Sequence, residues 1–233
     1  MRGPAVTRST LRQQIADALR DEVLAGRLSP GQEFTVKEIA EQYGVSATPV
    51  REALVDLSAQ GLLDSVQHRG FRVHEYSVAD YRGMIEARTL VADGIFGDLA
   101  ARAEACRPED AARFPIRDDA ALLGVRRRGE EAGRAARAGD LNVFIGYDLR
   151  FWRELNALFG NPYLADFLHR LRVQCWACAV PLLRRQADLT GCLWAGHTDL
   201  VDALLRRDPS AARAVVTESN THWLTLVERL AAG

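Results

Sequence analysis

The sequence predicts a mainly α protein in two parts. Three helices and a β-hairpin occupy residues 1–75, and an all-helical bundle follows over 76–233. Three observations predict this. Apolar residues recur every three to four positions through most of the chain, the signature of helices with one buried face. That period gives way to alternation only near residues 63–74. Beyond residue 76, Pro stands at the first turn after a capping or polar residue three times, in Arg107-Pro108, Asn161-Pro162 and Asp208-Pro209.

The elements follow in order. Leu11, Ile15, Leu19 and Val23 recur every four residues, which predicts a helix over 9–25, ended by Gly26 and the Ser29-Pro30-Gly31 turn. Thr35-Val36-Lys37-Glu38 is a capping box, opening a short helix with Ile39, Ala40 and Tyr43 on its apolar side and Gly44 as its stop. Ser46 is expected to cap a third helix bearing Val50, Ala53, Leu54 and Leu57, which Gly61 ends. Leu63-Asp64-Ser65-Val66-Gln67 and Gly70-Phe71-Arg72-Val73-His74 then read as two strands. His68-Arg69-Gly70 turns between them, with Gly where a positive φ is needed. Helix, helix, tight turn, helix and hairpin make the layout of a winged helix-turn-helix. From residue 77 onward the expected helices run over 78–105, 108–113, 118–138, 140–159, 162–187, 191–207 and 209–231, with Pro181 kinking or splitting the fifth.

Composition excludes several classes of function. Of 233 residues, 48% are hydrophobic and 26% charged, and the net charge is −1, an ordinary globular balance with no global pull toward nucleic acid or membrane. Cys106, Cys175, Cys178 and Cys192 are too few for a disulfide scaffold. The first 25 residues carry charges without a continuous apolar run, and no stretch approaches the ~18 apolar residues that span a bilayer. A cytoplasmic protein with no membrane partner is expected. Lys37 is the single lysine among 30 basic residues, so the abundance of arginine reflects coding bias and is not itself a phosphate signal.

A helix-turn-helix reads DNA by laying its second helix in the major groove. That helix opens here with Ser46-Ala47-Thr48-Pro49-Val50-Arg51. Ser46 and Thr48 can donate to phosphate oxygens, and Arg51, one turn on, reaches backbone or guanine edges. Lys37 reaches a phosphate from the preceding helix, and His68 and Arg69 at the hairpin tip reach the adjacent minor groove. The first 75 residues hold nearly balanced charges, so binding requires the cations to be gathered on one face.

Residues 9–74 resemble the GntR-family winged helix-turn-helix. The likeness rests on Leu28-Ser29-Pro30-Gly31, on the run Ile39-Ala40-Glu41-Gln42-Tyr43-Gly44-Val45-Ser46-Ala47-Thr48-Pro49-Val50-Arg51-Glu52-Ala53-Leu54, and on Gly61-Leu62-Leu63. The resemblance carries DNA contact to Lys37, Ser46, Thr48, Arg51 and the wing tip around His68. Ala47 stands where the family usually has a base-contacting arginine, so readout through that position does not carry over.

The remainder resembles the FCD domain, the effector-binding half of the FadR-like branch. Tyr81 to Arg102 fits its first helix, with Arg88 at the place of a characteristic arginine. Asp148-Leu149-Arg150-Phe151-Trp152-Arg153-Glu154-Leu155 with Phe159-Gly160-Asn161-Pro162, and His197 to Leu204 with Asp208, fit its later segments. Many members hold a divalent metal with one Asp and three His. Here Trp152 and Ser219 stand at two of the His positions, leaving Asp148 and His197, with His222 three residues past the third. The resemblance therefore implies an effector pocket around Arg88, Asp148, Trp152 and His197. A carboxylate effector would be held by Arg88, and a zinc site, if any, would draw on Asp148, His197 and His222.

From the residues alone, Asp148 lies among Phe144, Phe151 and Leu155, so an inward carboxylate needs a partner, with Arg88 or His197 as candidates. Cys175 and Cys178 share a helix face, either as small core residues or as part of a metal or redox site. Taken together, the expectation is a homodimeric transcription regulator and not an enzyme. It represses from a palindromic operator on double-stranded DNA and releases it when a small organic acid binds. Two other readings are a constitutive DNA-binding regulator with a ligand-free helical domain, and a metal-assisted enzyme using Asp148 and His197.

Overall fold

The computed structural model describes residues 8–105 and 118–233. The helix expected over 108–113, and Cys106, lie outside the described residues. The described chain forms two compact units, residues 8–77 with 176–184, and residues 78–105 and 118–175 with 185–233. No helix among the described residues is long and apolar enough to cross a membrane.

The first unit contains α1 (Arg8–Leu24), β1 (Glu33–Phe34), α2 (Val36–Tyr43), α3 (Ala47–Ala59), β2 (Leu63–Val66) and β3 (Gly70–Val73). Its core joins Ile15, Leu19 and Val23 of α1 to Val50, Leu54 and Leu57 of α3, all buried. These are the four-residue rows the sequence set out. The capping box at α2 is formed: Thr35 Oγ1 accepts from the Glu38 N–H, and the Glu38 carboxylate accepts from the Thr35 N–H at 2.7 Å. Gly44 ends α2 in the left-handed region.

Two details depart from expectation. Ser46 occupies the N-cap place of α3 with extended backbone, yet its hydroxyl makes no hydrogen bond to the helix. The sheet has three strands and not two, in the order β1-β3-β2. The two-residue β1 pairs antiparallel with β3, Phe34 opposite Phe71. Two residues carry no readable alternation, and only their partner strand makes β1 a strand.

At the hairpin, Gly70 has φ +118° as anticipated, but His68 also sits in the left-handed region at φ 63°. A Cβ on Gly70 would lie 2.5 Å from the Phe34 carbonyl oxygen and 3.1 Å from Thr35 Cα. Gly70→Ala combines that clash with an unfavourable φ, so it lowers stability by about 1–2 kcal/mol. A urea titration showing no change would mean the wing relaxes freely.

The second unit contains α4 (Val78–Ala105), α5 (Asp119–Ala138), α6 (Leu141–Leu158), part of α7 (Pro162–Leu183), α8 (His197–Leu205) and α9 (Pro209–Ala232). Here α5 packs on α6 and α8, and α4 packs on α9. Asp118, Asp140 and Asp208 each cap the helix that follows, accepting from the N–H three residues on. Two expectations are corrected. The helix expected over 191–207 begins only at His197, because residues 191–196 turn, with Cys192 N–H bonded to the Leu189 carbonyl and Gly191 at φ 72°. Pro181 does not split α7, which runs to Leu183. The helix continues through the proline, which costs it the one backbone hydrogen bond that an N–H at 181 would give to the Ala177 carbonyl.

Candidate functional site

In the first unit, Lys37, Arg51, His68 and Arg69 line one open groove together with Ala47 and Gly70. Local geometry puts them there. The α2–α3 turn at Gly44 sets the start of α3 beside α2, and the hairpin tip closes the other side. All four side chains are exposed, as are Ser46 and Thr48, although these two do not line the groove. The exposed Ser46 hydroxyl, which accepts no cap bond from the helix, can donate to an outside acceptor.

The near-neutral charge of this unit hides a division of labour. Arg12 pairs with Asp56, Arg20 with Asp17, Arg27 with Glu22 and Arg72 with Asp64. The Arg27 bond also holds the Glu22 carboxyl below its usual range. Arg51 and Arg69 have no acidic partner among the described residues, and Lys37 has only a loose 3.7 Å contact with Glu41. The unmatched cations are therefore the ones in the groove. Glu41 shares it, so the surface is mixed but carries its free positive charge on one side.

The second unit buries an unusual polar cluster. Asp148 and His197 are fully buried, Arg172 is 4% exposed and Arg88 is 6% exposed. Arg172 Nη1 donates to both Asp148 oxygens, at 3.1 and 3.0 Å. Trp152 Nε1 donates to Asp148 Oδ1 at 3.0 Å, and His197 Nε2 meets the same oxygen at 3.0 Å. The Arg172 guanidinium also lies over the Trp152 ring, 4.1 Å from its centroid. His197 reaches this place because Gly129 lets α5 approach α8 closely: a Cβ there would meet His197 Cβ at 3.0 Å. Burial among Phe151 and Trp194 pushes the His197 pKa down, against the pull of Asp148. A neutral ring whose Nε2–H donates to the carboxylate fits both facts.

Arg172 was missed by the sequence reading, and Asp148 pairs with it and His197, not with Arg88. A signal existed: Arg172 sits on the same α7 face as Leu168, Cys175 and Trp176, an arginine in an apolar row. Arg88 makes a single hydrogen bond, from Nη1 to Cys175 Sγ at 3.8 Å, and has no carboxylate partner among the described residues. With Arg172, Trp152, Asn156 and Asn220 it lines a pocket partly open to solvent, whose other walls are apolar, among them Ile95, Phe96, Leu155 and Val216. Of the four residues expected at the pocket, Arg88 and Trp152 line this cavity, while Asp148 and His197 stand behind Trp152 and Arg172.

The donor set does not suit the metal that the resemblance brings to mind. A carboxylate offers about four lone-pair sites. Those of Asp148 face one guanidinium, one indole N–H and one imidazole. Arg172 already supplies the cation. Ser219 is fully buried with its hydroxyl unpartnered, and the His222 ring is bonded to the Cys192 carbonyl at 2.9 Å. Among the described residues no three His, Cys, Asp or Glu side chains gather to hold an ion. Cys175 accepts from Arg88, whereas the Cys178 thiol contacts the Ser77 carbonyl, and both are free thiols.

An open groove that gathers the unpaired cations of a winged helix-turn-helix, in a chain that also carries an all-helical unit, defines the class of DNA-binding regulators. Comparison with known proteins gives the family. Residues 11–73 match the bacterial regulatory proteins of the gntR family, and residues 99–221 match the FCD domain. A relative from Paenarthrobacter nicotinovorans, named as a probable D-xylose utilization operon transcriptional repressor, is 30% identical over 94% of this chain and 89% of its own. The regulator McbR of Escherichia coli is 27% identical over 71% of this chain and 68% of its own. The solved structure of E. coli McbR/YncC superposes with a TM-score of 0.70, at 22% identity, over 94% of this chain and 97% of that one. A regulator structure from Rhodococcus sp. RHA1 gives 0.66 at 18% identity, covering 95% and 98%. The chain belongs to the GntR family and carries an FCD domain. It is a transcription regulator and not an enzyme.

Proposed function

We propose that the chain is a cytoplasmic repressor that binds a palindromic operator as a homodimer and releases it when a small carboxylate occupies the cavity of its helical unit. The observation that carries this is the presence in one chain of a groove holding the unpaired cations and a cavity walled by an unpaired arginine. On this reading Lys37, Ser46 and Thr48 hold phosphates, Arg51 reaches base edges or backbone, and His68 and Arg69 follow the wing into the minor groove. Arg88 holds the carboxylate, and Trp152 closes the cavity beside it. The name of the P. nicotinovorans relative suggests a repressor acting near sugar metabolism. A buried guanidinium, however, suits an acid better than a neutral sugar, since Arg binds carboxylates through a planar fork of donors.

A single recognition helix reads only one half-site, so two copies are needed for a palindrome. The full chain is expected to sediment as a dimer at micromolar concentration. Operator binding measured by fluorescence anisotropy, with and without a panel of organic acids, tests the switch. An acid that lowers operator affinity tenfold or more, with the effect lost in Arg88→Met, supports it. Operator binding that no acid changes would favour a constitutive regulator instead.

A further inference from the structure

We infer that the helical unit captures its anion without any metal ion, through Arg88 and Arg172 acting together, and that the anion is a monocarboxylate with an apolar body. This rests on the effector reading above and specifies its chemistry. A metal in such a pocket would do two things: neutralise Asp148 and offer open positions to an acid. Arg172 does both with protein atoms. Its Nη1 is spent on the two oxygens of Asp148, and the residue also lines the pocket, so the other donors of the same fork are the ones an anion there would call on.

The charge balance points the same way. Two guanidiniums line the cavity and no carboxylate does. Asp148, behind Arg172, neutralises one of them, and the other charge, on Arg88, has a sulfur as its only hydrogen-bond partner among the described residues. Arginine does not shed its proton to escape burial, so an unmatched buried guanidinium is a standing demand for an anion. Burial and the nearby Arg88 charge bring the Arg172 pKa down to about 10, still protonated at neutral pH, and an anion between the two would relieve both effects.

The remaining walls select the body of the ligand. Ile95, Phe96, Leu155, Phe159, Leu168 and Val216 offer apolar surface, which stabilises an alkyl or aryl group and leaves hydroxyls unpaired. The unpartnered Asn220 Oδ1 and the Asn156 side chain supply the few further polar contacts such a site needs for orientation. A polyhydroxylated acid or a free sugar fits poorly.

Thermal unfolding of the full chain in EDTA tests this. Benzoate, phenylacetate and hexanoate are each compared with the corresponding neutral amide and with D-xylose. At least one acid is expected to raise the Tm by about 5–10 °C at roughly a hundredfold excess over its Kd. Its amide and D-xylose should leave Tm unchanged, and added Zn²⁺ should not enlarge the shift. Arg88→Met should lose the response while itself unfolding at a higher Tm than wild type without ligand, because an unmatched buried charge has been removed. A lower Tm in Arg88→Met would mark Arg88 as a structural residue and overturn the inference. So would an equal response to the amide, a response that appears only with Zn²⁺, or no response to any acid. A zinc-dependent acid that still releases the operator would sink this inference and leave the regulator reading standing. An acid that binds in EDTA without moving operator affinity would do the reverse.

Discussion

Replacing Asp148 with leucine lowers the stability of the chain by about 3–5 kcal/mol, the cost of stripping a buried cation of its counter-ion. Asp148 is fully buried, and each of its two oxygens accepts a hydrogen bond from Arg172 Nη1. Without it, Arg172 joins Arg88 as a second unmatched guanidinium in the same unit, and the Trp152 and His197 N–H groups lose their acceptor. Each of those buried donors adds a desolvation penalty of its own. The double variant Asp148→Leu/Arg172→Met should recover most of the loss, since a buried pair exchanged for apolar groups of similar volume is often neutral. Urea denaturation of the two variants and of Arg172→Met alone closes the cycle. A single-variant loss below about 1 kcal/mol would mean that water or another group takes over from the carboxylate, and the cluster would not be the rigid back wall described above.

What the sequence showed and what it hid divides along the range of the interactions. The capping box at Thr35, the Asp208 cap, the Gly44 stop and the hairpin between β2 and β3 depend on residues a few positions apart, and all are formed as expected. β1 was hidden because two residues become a strand only when β3 lies beside them. The turn at 191–196 was hidden because Leu193, Trp194 and the apolar row of α8 continue a helical spacing across a segment whose backbone turns at Gly191 and Gly196. The Asp148–Arg172 pair joins residues 24 positions apart on different helices. No spacing rule announces such a pair, and Arg88, at a place the family resemblance marked, drew attention from it.

The DNA-facing side shows the same limit in another form. Summed over the first 75 residues, the charges nearly cancel, and the sum says nothing about which of them are free. Pairing decides that. Four arginines are tied to acids across or along the helices, so the free positive charge of the unit lies with Lys37, Arg51 and Arg69, all lining one groove. Net charge predicted indifference to DNA, whereas the distribution of partners predicts a face.

That distribution also ranks the effects of removing individual cations. Arg51→Ala is expected to weaken operator binding by about 1–3 kcal/mol and to relax discrimination at the base pairs beneath the start of α3. Arg51 is exposed, unpaired among the described residues and one turn into α3, the proposed recognition helix, so its truncation should cost the fold almost nothing and the complex a charged, directional contact. Lys37→Ala should behave differently. A single ammonium on α2 meets phosphate as a point charge, so affinity falls by similar amounts on all sequences and the salt slope shrinks by about one. Arg27→Ala is the control, since Arg27 is bonded to Glu22 and lies outside the groove. It should leave both affinity and slope unchanged. The three variants are titrated at several salt concentrations against a selected operator and a scrambled duplex. If Arg51→Ala loses no more on the operator than on the scrambled duplex, Arg51 is a phosphate contact like Lys37. Sequence readout must then come from elsewhere on α3, where Thr48 and the methyl of Ala47 are the groups best placed to reach a base.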